Sequence, residues 1–197
     1  MARPRAVDYD DKRNAILSAS ARAFADTGFD GASMSQIALA CGVSKALLYH
    51  YYANKEQLLF DVIEAHLEDL VAAVREVEAG PDPEDRLVRL CTVILEAYRD
   101  ADAEHKVQIN NLSRLPADKQ DILKRMERDL VDVFAGALAE ANPELGANPR
   151  LLKPVTMSLF GMLNWHYLWF RPSGPVSRED YAAIAARIVV AGSRALD

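Results

Sequence analysis

Almost every stretch of this 197-residue chain repeats its apolar residues at the three-to-four spacing of an α-helix, and none alternates strongly at period two. Such a pattern offers no strand with one face to bury. The expected fold class is therefore all-α, with about nine helices. Glycine and proline gather at a few joints: Gly28–Gly31, Gly42, Gly80–Pro83, Pro116, Pro143–Pro149 and Arg171–Pro175. Half of the residues are hydrophobic and 26% are charged, the balance of a globule rather than a disordered chain.

Local signals place the helices. The first is expected from about Asp11 to Asp26, on the stripe Ile16, Ala19, Ser20, Ala23 and Phe24, with Gly28 ending it. Ser33 reads as an N-cap, and Gln36 three residues on completes a capping box for a short helix from Met34 to about Ala40. Gly42 sits where a left-handed residue is wanted, and Ser44 caps the next helix, Lys45 to about Tyr51. Two short helices joined by Cys41-Gly42-Val43-Ser44 suit a helix-turn-helix. Asn54, with Gln57 as its box partner, opens a long fourth helix to about Glu78. Gly80-Pro81-Asp82-Pro83 breaks that helix, and Asp82 caps a fifth with Pro83 at its first position. Further helices are expected near Glu104–Ser113, Pro116–Ala141, Asn148–Phe170 and Ser177–Ala195.

Several classes fall away. Cys41 and Cys91 cannot make a disulfide framework and lack a Cys-x-x-Cys spacing, so a reducing, cytoplasmic location is expected. No apolar run follows a basic start. The longest uncharged apolar stretch, Val155–Phe170, is 16 residues and holds Asn164 and His166, whereas a membrane span needs ~20 mainly apolar residues. The enzyme alternative is a helical bundle with a carboxylate/histidine metal site, which needs two Glu-x-x-His motifs on facing helices. Only Asp102-x-x-His105 comes near, and no nucleotide or hydrolase fingerprint appears. No enzyme activity, metal or cofactor is expected.

Residues 28–59 carry the strongest signal. Gly28-Phe29, Ser33-Met34, Ile37-Ala38, Gly42-Val43-Ser44-Lys45, Leu48-Tyr49-His50-Tyr51-Tyr52 and Asn54-Lys55-Glu56-Gln57-Leu58-Leu59 at these spacings resemble the tetracycline-repressor (TetR) family of bacterial transcription regulators. The resemblance implies a homodimeric repressor on a palindromic double-stranded operator, released by a small effector. It divides the chain into a DNA-binding domain, 1–54, and a ligand-binding and dimerisation domain, 55–197, with the fourth helix connecting them. By the resemblance Lys45, Ala46 and Leu47 approach bases, while Tyr49, Tyr51 and Lys55 hold phosphates. Leu47 departs from the small polar residue common there, leaving contact with a thymine methyl. The residues agree on their own terms. Free N–H groups at the start of the helix that Ser44 opens can face phosphate, Lys45, Ala46, Tyr49 and His50 fall on the outward side of that helix, and Ser33 joins the candidate DNA contacts. Arg3 and Arg5 read either as a minor-groove arm or as a loose terminus.

A second stretch, Asn164-Trp165-His166-Tyr167-Leu168-Trp169-Phe170-Arg171-Pro172-Ser173-Gly174-Pro175, is similar to a segment of TetR-family regulators of fatty-acid, steroid or aromatic-acid breakdown, several of which respond to acyl-CoA thioesters. A continuous helix would put Trp165 and Trp169 on one face. With Phe160, Met126 and Tyr98 they would wall an acyl tunnel, while Gln108 and Asn111 orient a thioester and Arg114, Arg171 or Lys106 face CoA phosphates. Two readings of the tryptophans stand side by side, ligand contact and dimer interface. His105 and His166 read as surface or satisfied core histidines. The last two helices look apolar on more than one face and are expected to pair with their mates in a dimer.

The formal net charge of −6 would argue against nucleic acid if it were spread evenly. It is not: residues 1–60 hold seven Lys and Arg against six Asp and Glu, a net of +1, and residues 61–197 hold 16 against 23, a net of −7. DNA binding is then expected to depend on a few placed groups and on dimerisation.

Overall fold

The computed structural model describes residues 4–196, with side chains from residue 12 onward. Among them all regular structure is helical. The helices are α1 (Pro4–Gly31), α2 (Met34–Ala40), α3 (Lys45–Tyr51), α4 (Lys55–Arg75), α5 (Pro83–Ala97), α6 (Asp102–Asn111), α7 (Ala117–Ala141), α8 (Pro143–Gly146), α9 (Pro149–Asn164), α10 (His166–Trp169) and α11 (Arg178–Ser193). A 3₁₀ turn, Leu112–Arg114, follows α6. No helix is long and apolar enough to cross a membrane, and no group of three or more His, Cys, Asp or Glu is placed to hold a metal, both among the described residues.

Five features differ from the sequence reading. Helix α1 begins at Pro4 rather than Asp11, because a proline is tolerated in a first turn, where its missing N–H costs no bond. It also runs to Gly31, but Gly28 breaks its geometry at φ 74°, ψ 161°. Helix α4 stops at Arg75, before the Gly80–Pro83 joint. The helix expected to run through to Phe170 ends at Asn164, and the short α10 begins after Trp165. Pro143–Gly146, expected as a joint, makes one helical turn under the Asn142 cap, whose Oδ1 accepts from Leu145 N at 3.2 Å.

The chain forms two compact units. The first comprises the chain up to Leu67 together with Ala101–Lys124; the second comprises Glu68–Asp100 and the chain from Arg125 onward. In the first, α1 packs on α2 and α6, and α2 packs on α3. Ile16, Phe24, Ile37, Leu48, Leu58 and Ile63 are almost fully buried there, each worth ~1.5–3 kcal/mol relative to exposure. Polar links cross the same unit. Arg13 on α1 bonds Asp61 at 3.0 Å, and Gln57 Nε2 donates to the other oxygen of Asp61 at 2.6 Å. Lys119 Nζ donates to Gln57 Oε1 and lies 4.8 Å from the Phe60 ring centroid.

In the second unit α5 packs against α11 and α9, and α9 against α11. Leu87, Leu90, Ile94, Phe134, Leu159 and Leu163 make its core, with the Phe134 and Phe160 rings 4.9 Å apart. Ser177 and Asp180 form the expected capping box for α11, and Asp82 caps α5 with Pro83 in its first turn.

Candidate nucleic-acid interface

The α2–α3 pair is set by three local devices. Ser33 Oγ accepts from Gln36 N at 3.2 Å while Gln36 Oε1 accepts from Ser33 N at 3.0 Å, which is the expected capping box. At the other end of α2, Val43 N donates to Ala38 O (3.0 Å) and Gly42 N to Leu39 O (3.1 Å). These two bonds make a Schellman closure, and it needs Gly42 at φ 66°. Ser44 Oγ then accepts from Leu47 N at 3.1 Å and starts α3. Leu48, fully buried, anchors α3 to the core, and Tyr52, 2% exposed, closes its end. Lys45, Ala46, Tyr49 and His50 are thereby left exposed; Leu47 and Tyr51 are half-buried. The Lys45 ammonium lies 5.8 Å from the Tyr49 ring centroid, so the two side chains present as one unit. Tyr51 stacks on Tyr52 at 6.4 Å and meets His50 edge-on at 6.0 Å.

Two sequence expectations change at the start of α4. Asn54 Oδ1 does accept from Gln57 N at 2.8 Å. The Gln57 side chain, however, turns to Asp61 and Lys119, whose charges make stronger partners than a backbone N–H. Lys55 Nζ donates to two carbonyls at the end of α1, Phe29 O (2.5 Å) and Ala32 O (2.9 Å), and sits 4.4 Å from the Phe29 ring centroid. With three ammonium protons and two acceptors taken, one donor remains.

Ser33, Ser35, Lys45, Tyr49, Asn54 and Lys55 line one open depression of about 500 Å³. Its single acid among the lining residues is Asp30, paired with Arg114 of the 3₁₀ turn at 3.0 Å. Nothing in the sequence spacing pointed to that pair. Lys106 on α6 donates to Ala25 O at 2.7 Å. Lys106 and Arg114, expected toward CoA phosphates, are thus both engaged with the end of α1. Arg3 and the Arg5 side chain lie outside the described residues.

The residues expected to meet a ligand divide between the two units. Gln108 is half-buried and Asn111 buried on α6 in the first, where Asn111 Nδ2 donates to Val107 O of its own helix at 3.2 Å. Tyr98, Met126, Phe160, Trp165 and Trp169 belong to the second. There Tyr98 Oη donates to Asn164 Oδ1 at 3.0 Å, and burial raises the Tyr98 phenol above its ordinary pKa. The shared helical face for Trp165 and Trp169 does not exist, because the helix breaks at Trp165 (φ −91°, ψ 0°). Both indoles are about half exposed. Between them His166 is buried in a stack, 4.2 Å from the Phe170 ring and 5.2 Å from that of Tyr181, with Trp169 edge-on at 5.3 Å and the Arg178 guanidinium 4.5 Å from the Phe170 ring centroid. Burial first, and the Arg178 charge second, lower the His166 pKa to about 4. His105 is buried as well, its ring 5.8 Å from that of His66, a pair the sequence did not reveal.

Residues 16–62 match the family described as bacterial regulatory proteins, tetR family, and residues 80–193 match the tetracyclin repressor-like C-terminal domain. Among curated proteins the chain is similar to the HTH-type transcriptional repressor KstR2 of Mycolicibacterium smegmatis, 24% identical over 92% of this chain and 90% of that protein. Among solved structures it is similar to a TetR-family transcriptional regulator from Bordetella parapertussis 12822, with a TM-score of 0.85, 32% identity, and coverage of 94% of this chain and 97% of that one. It is also similar to AibR in complex with isovaleryl coenzyme A and operator DNA, with a TM-score of 0.71, 28% identity, and coverage of 90% and 97%.

Proposed function

The chain belongs to the TetR family of bacterial regulatory proteins, and on that premise we propose that it is a homodimeric repressor that leaves a palindromic operator when an acyl-CoA thioester binds. The observation that carries the DNA half is the common depression shared by the N-terminal turn of α2, the Lys45–Tyr49 unit of α3 and Lys55. Free N–H groups, a hydroxyl and two ammonium groups are a phosphate's natural partners. In this reading Ser33, Ser44, Tyr49, Tyr51 and Lys55 hold phosphates, and Lys45, Ala46, Leu47 and His50 approach bases. Lys55 does so with its remaining donor while its other two fix the end of α1. As the family resemblance implies, residues 1–54 are assigned to reading DNA and residues 55–197 to binding ligand and dimerising, with Lys55 at the boundary serving the DNA side.

Dimerisation is supported by one face of α9 and α11, where Met157 is 47%, Ile184 42% and Ile188 56% exposed. Gly161, Ala191 and Gly192 on the same helices are exposed and small enough for close approach. An operator dimer must hold its recognition helices ~34–36 Å apart to enter successive major grooves. The thioester class is supported by the similarity to AibR, which is seen in complex with isovaleryl coenzyme A and operator DNA. In this reading Tyr98, Met126, Phe160, Trp165 and Trp169, all of the second unit, supply the apolar and aromatic contacts to the acyl group.

The test is fluorescence anisotropy on an operator selected from random duplexes, at fixed ionic strength, with a panel of CoA esters. A thioester that weakens operator affinity, with reciprocal weakening of its own binding by operator, is the expected result. Lys45→Ala should lower operator affinity ~10-fold or more. Thioester binding that leaves operator affinity unchanged would refute the effector assignment.

A further inference from the structure

We propose that Arg114 is a charge mask for the operator-facing surface, acting by neutralising Asp30. The inference rests on the operator-binding reading above. Asp30 is the one carboxylate among the residues lining the depression that holds Ser33, Lys45, Tyr49 and Lys55. Its side chain is 73% exposed, so its charge is open to whatever enters that depression. A phosphate there would lie within one Debye length, ~8 Å at physiological salt, of a like charge. Asp30 lies beyond the Gly28 break, outside the continuous run of α1.

What offsets it is the Arg114 guanidinium, 3.0 Å away and 54% exposed. An exposed pair of this kind adds little to folding, so its value lies in the field it cancels. Arginine cannot lose its proton at any physiological pH, so this mask is lifted only by moving the residue. Arg114 is carried by the 3₁₀ turn that directly follows α6. Any rearrangement of that turn that draws Arg114 from Asp30 unmasks a carboxylate beside the phosphate site, and operator affinity falls.

The experiment is a double-variant cycle on the full chain, with operator affinity read by anisotropy at fixed salt and folding monitored by thermal circular dichroism. Arg114→Ala should weaken operator binding ~3–10-fold with an unchanged unfolding midpoint, and Arg114→Lys should restore most of it. Asp30→Asn should bind at least as tightly as the parent. In the Asp30→Asn background, Arg114→Ala should change affinity less than ~2-fold, because no charge is left to mask. An Arg114→Ala loss of equal size in both backgrounds would mean that Arg114 touches DNA itself, and it would overturn the mask. So would a parent-like affinity in Arg114→Ala. If the parent chain selects no duplex at all, the operator reading falls and takes the mask with it; if the parent binds and the variants do not follow the cycle, the mask alone fails.

Discussion

At the scale of single residues, the clearest chemical statement is made by a buried histidine. His66 is 5% exposed beside His105, and burial first, with the His105 ring second, lowers its pKa to about 3. In the unfolded chain the same side chain titrates near 6.5. The folded pKa lies below the unfolded one, so the unfolded chain binds the extra proton as the medium acidifies. The stability contributed by keeping His66 neutral is complete above pH ~6.5 and is lost progressively as the pH falls towards ~3. Urea midpoints measured between pH 7 and pH 4.5 should fall with pH, and His66→Gln should flatten that fall relative to the parent. Equal slopes in the two proteins would remove His66 from the acid response. Lys55 makes a different point at the same scale. Its position marked it for phosphate, yet two of its donors are spent on Phe29 and Ala32 carbonyls. A residue's motif position told where it stands, not what else it holds.

At the scale of elements, the turn between α2 and α3 depends on one backbone conformation. Gly42 has φ 66°, and a Cβ built there meets no atom within 4 Å. Gly42→Ala is therefore penalised by conformation alone, ~1–2 kcal/mol, and should lower the thermal midpoint by ~2–8 °C without blocking the fold. A clash-free site losing nothing in a melting experiment would show that α2 and α3 tolerate another turn. Elements of this kind were legible in the sequence because their signals are local. Ser33, Ser44, Asp82 and Ser177 each cap a backbone N–H two or three residues away, and Leu48 and Tyr52 follow the helical period into the core. The break at Trp165 carries no glycine, proline or capping residue, and the surrounding contacts of His166, Phe170, Tyr181 and Arg178 are tertiary. For the same reason Arg114–Asp30, His66–His105 and Lys106–Ala25 left no trace. Each joins positions dozens of residues apart, and no spacing rule connects them.

At the scale of the whole molecule, the candidate reading surface is nearly neutral in its sequence segment, and the −7 of residues 61–197 lies elsewhere in the chain. One recognition helix with few cations binds weakly, so tight binding is expected to come from two of them joined. The exposed apolar residues of α9 and α11 are the surface proposed for that junction. Sedimentation at micromolar concentration should give about twice the 21.8 kDa chain mass. Ile188→Asp, which puts a charge on a residue 56% exposed in the single chain, should shift the protein toward the single-chain mass. It should also weaken operator affinity ~10-fold or more, because each half-site is then bound alone. A variant that stays dimeric would move the junction off α11.

The make-up of the first compact unit bears on how such regulators can be recombined. The proposed reading head is a discontinuous part, because α6, the 3₁₀ turn and the start of α7 share a unit with α1–α3. A chimaera cut after residue 54 would keep the carbonyls of Ala25, Phe29 and Ala32 and the Asp30 carboxylate. It would discard Lys55, Lys106 and Arg114, the cations that engage them. A transplantable reading head built from this chain has to carry two segments, through Leu67 and again from Ala101 to Lys124, and the grafting problem becomes one of three seams rather than one.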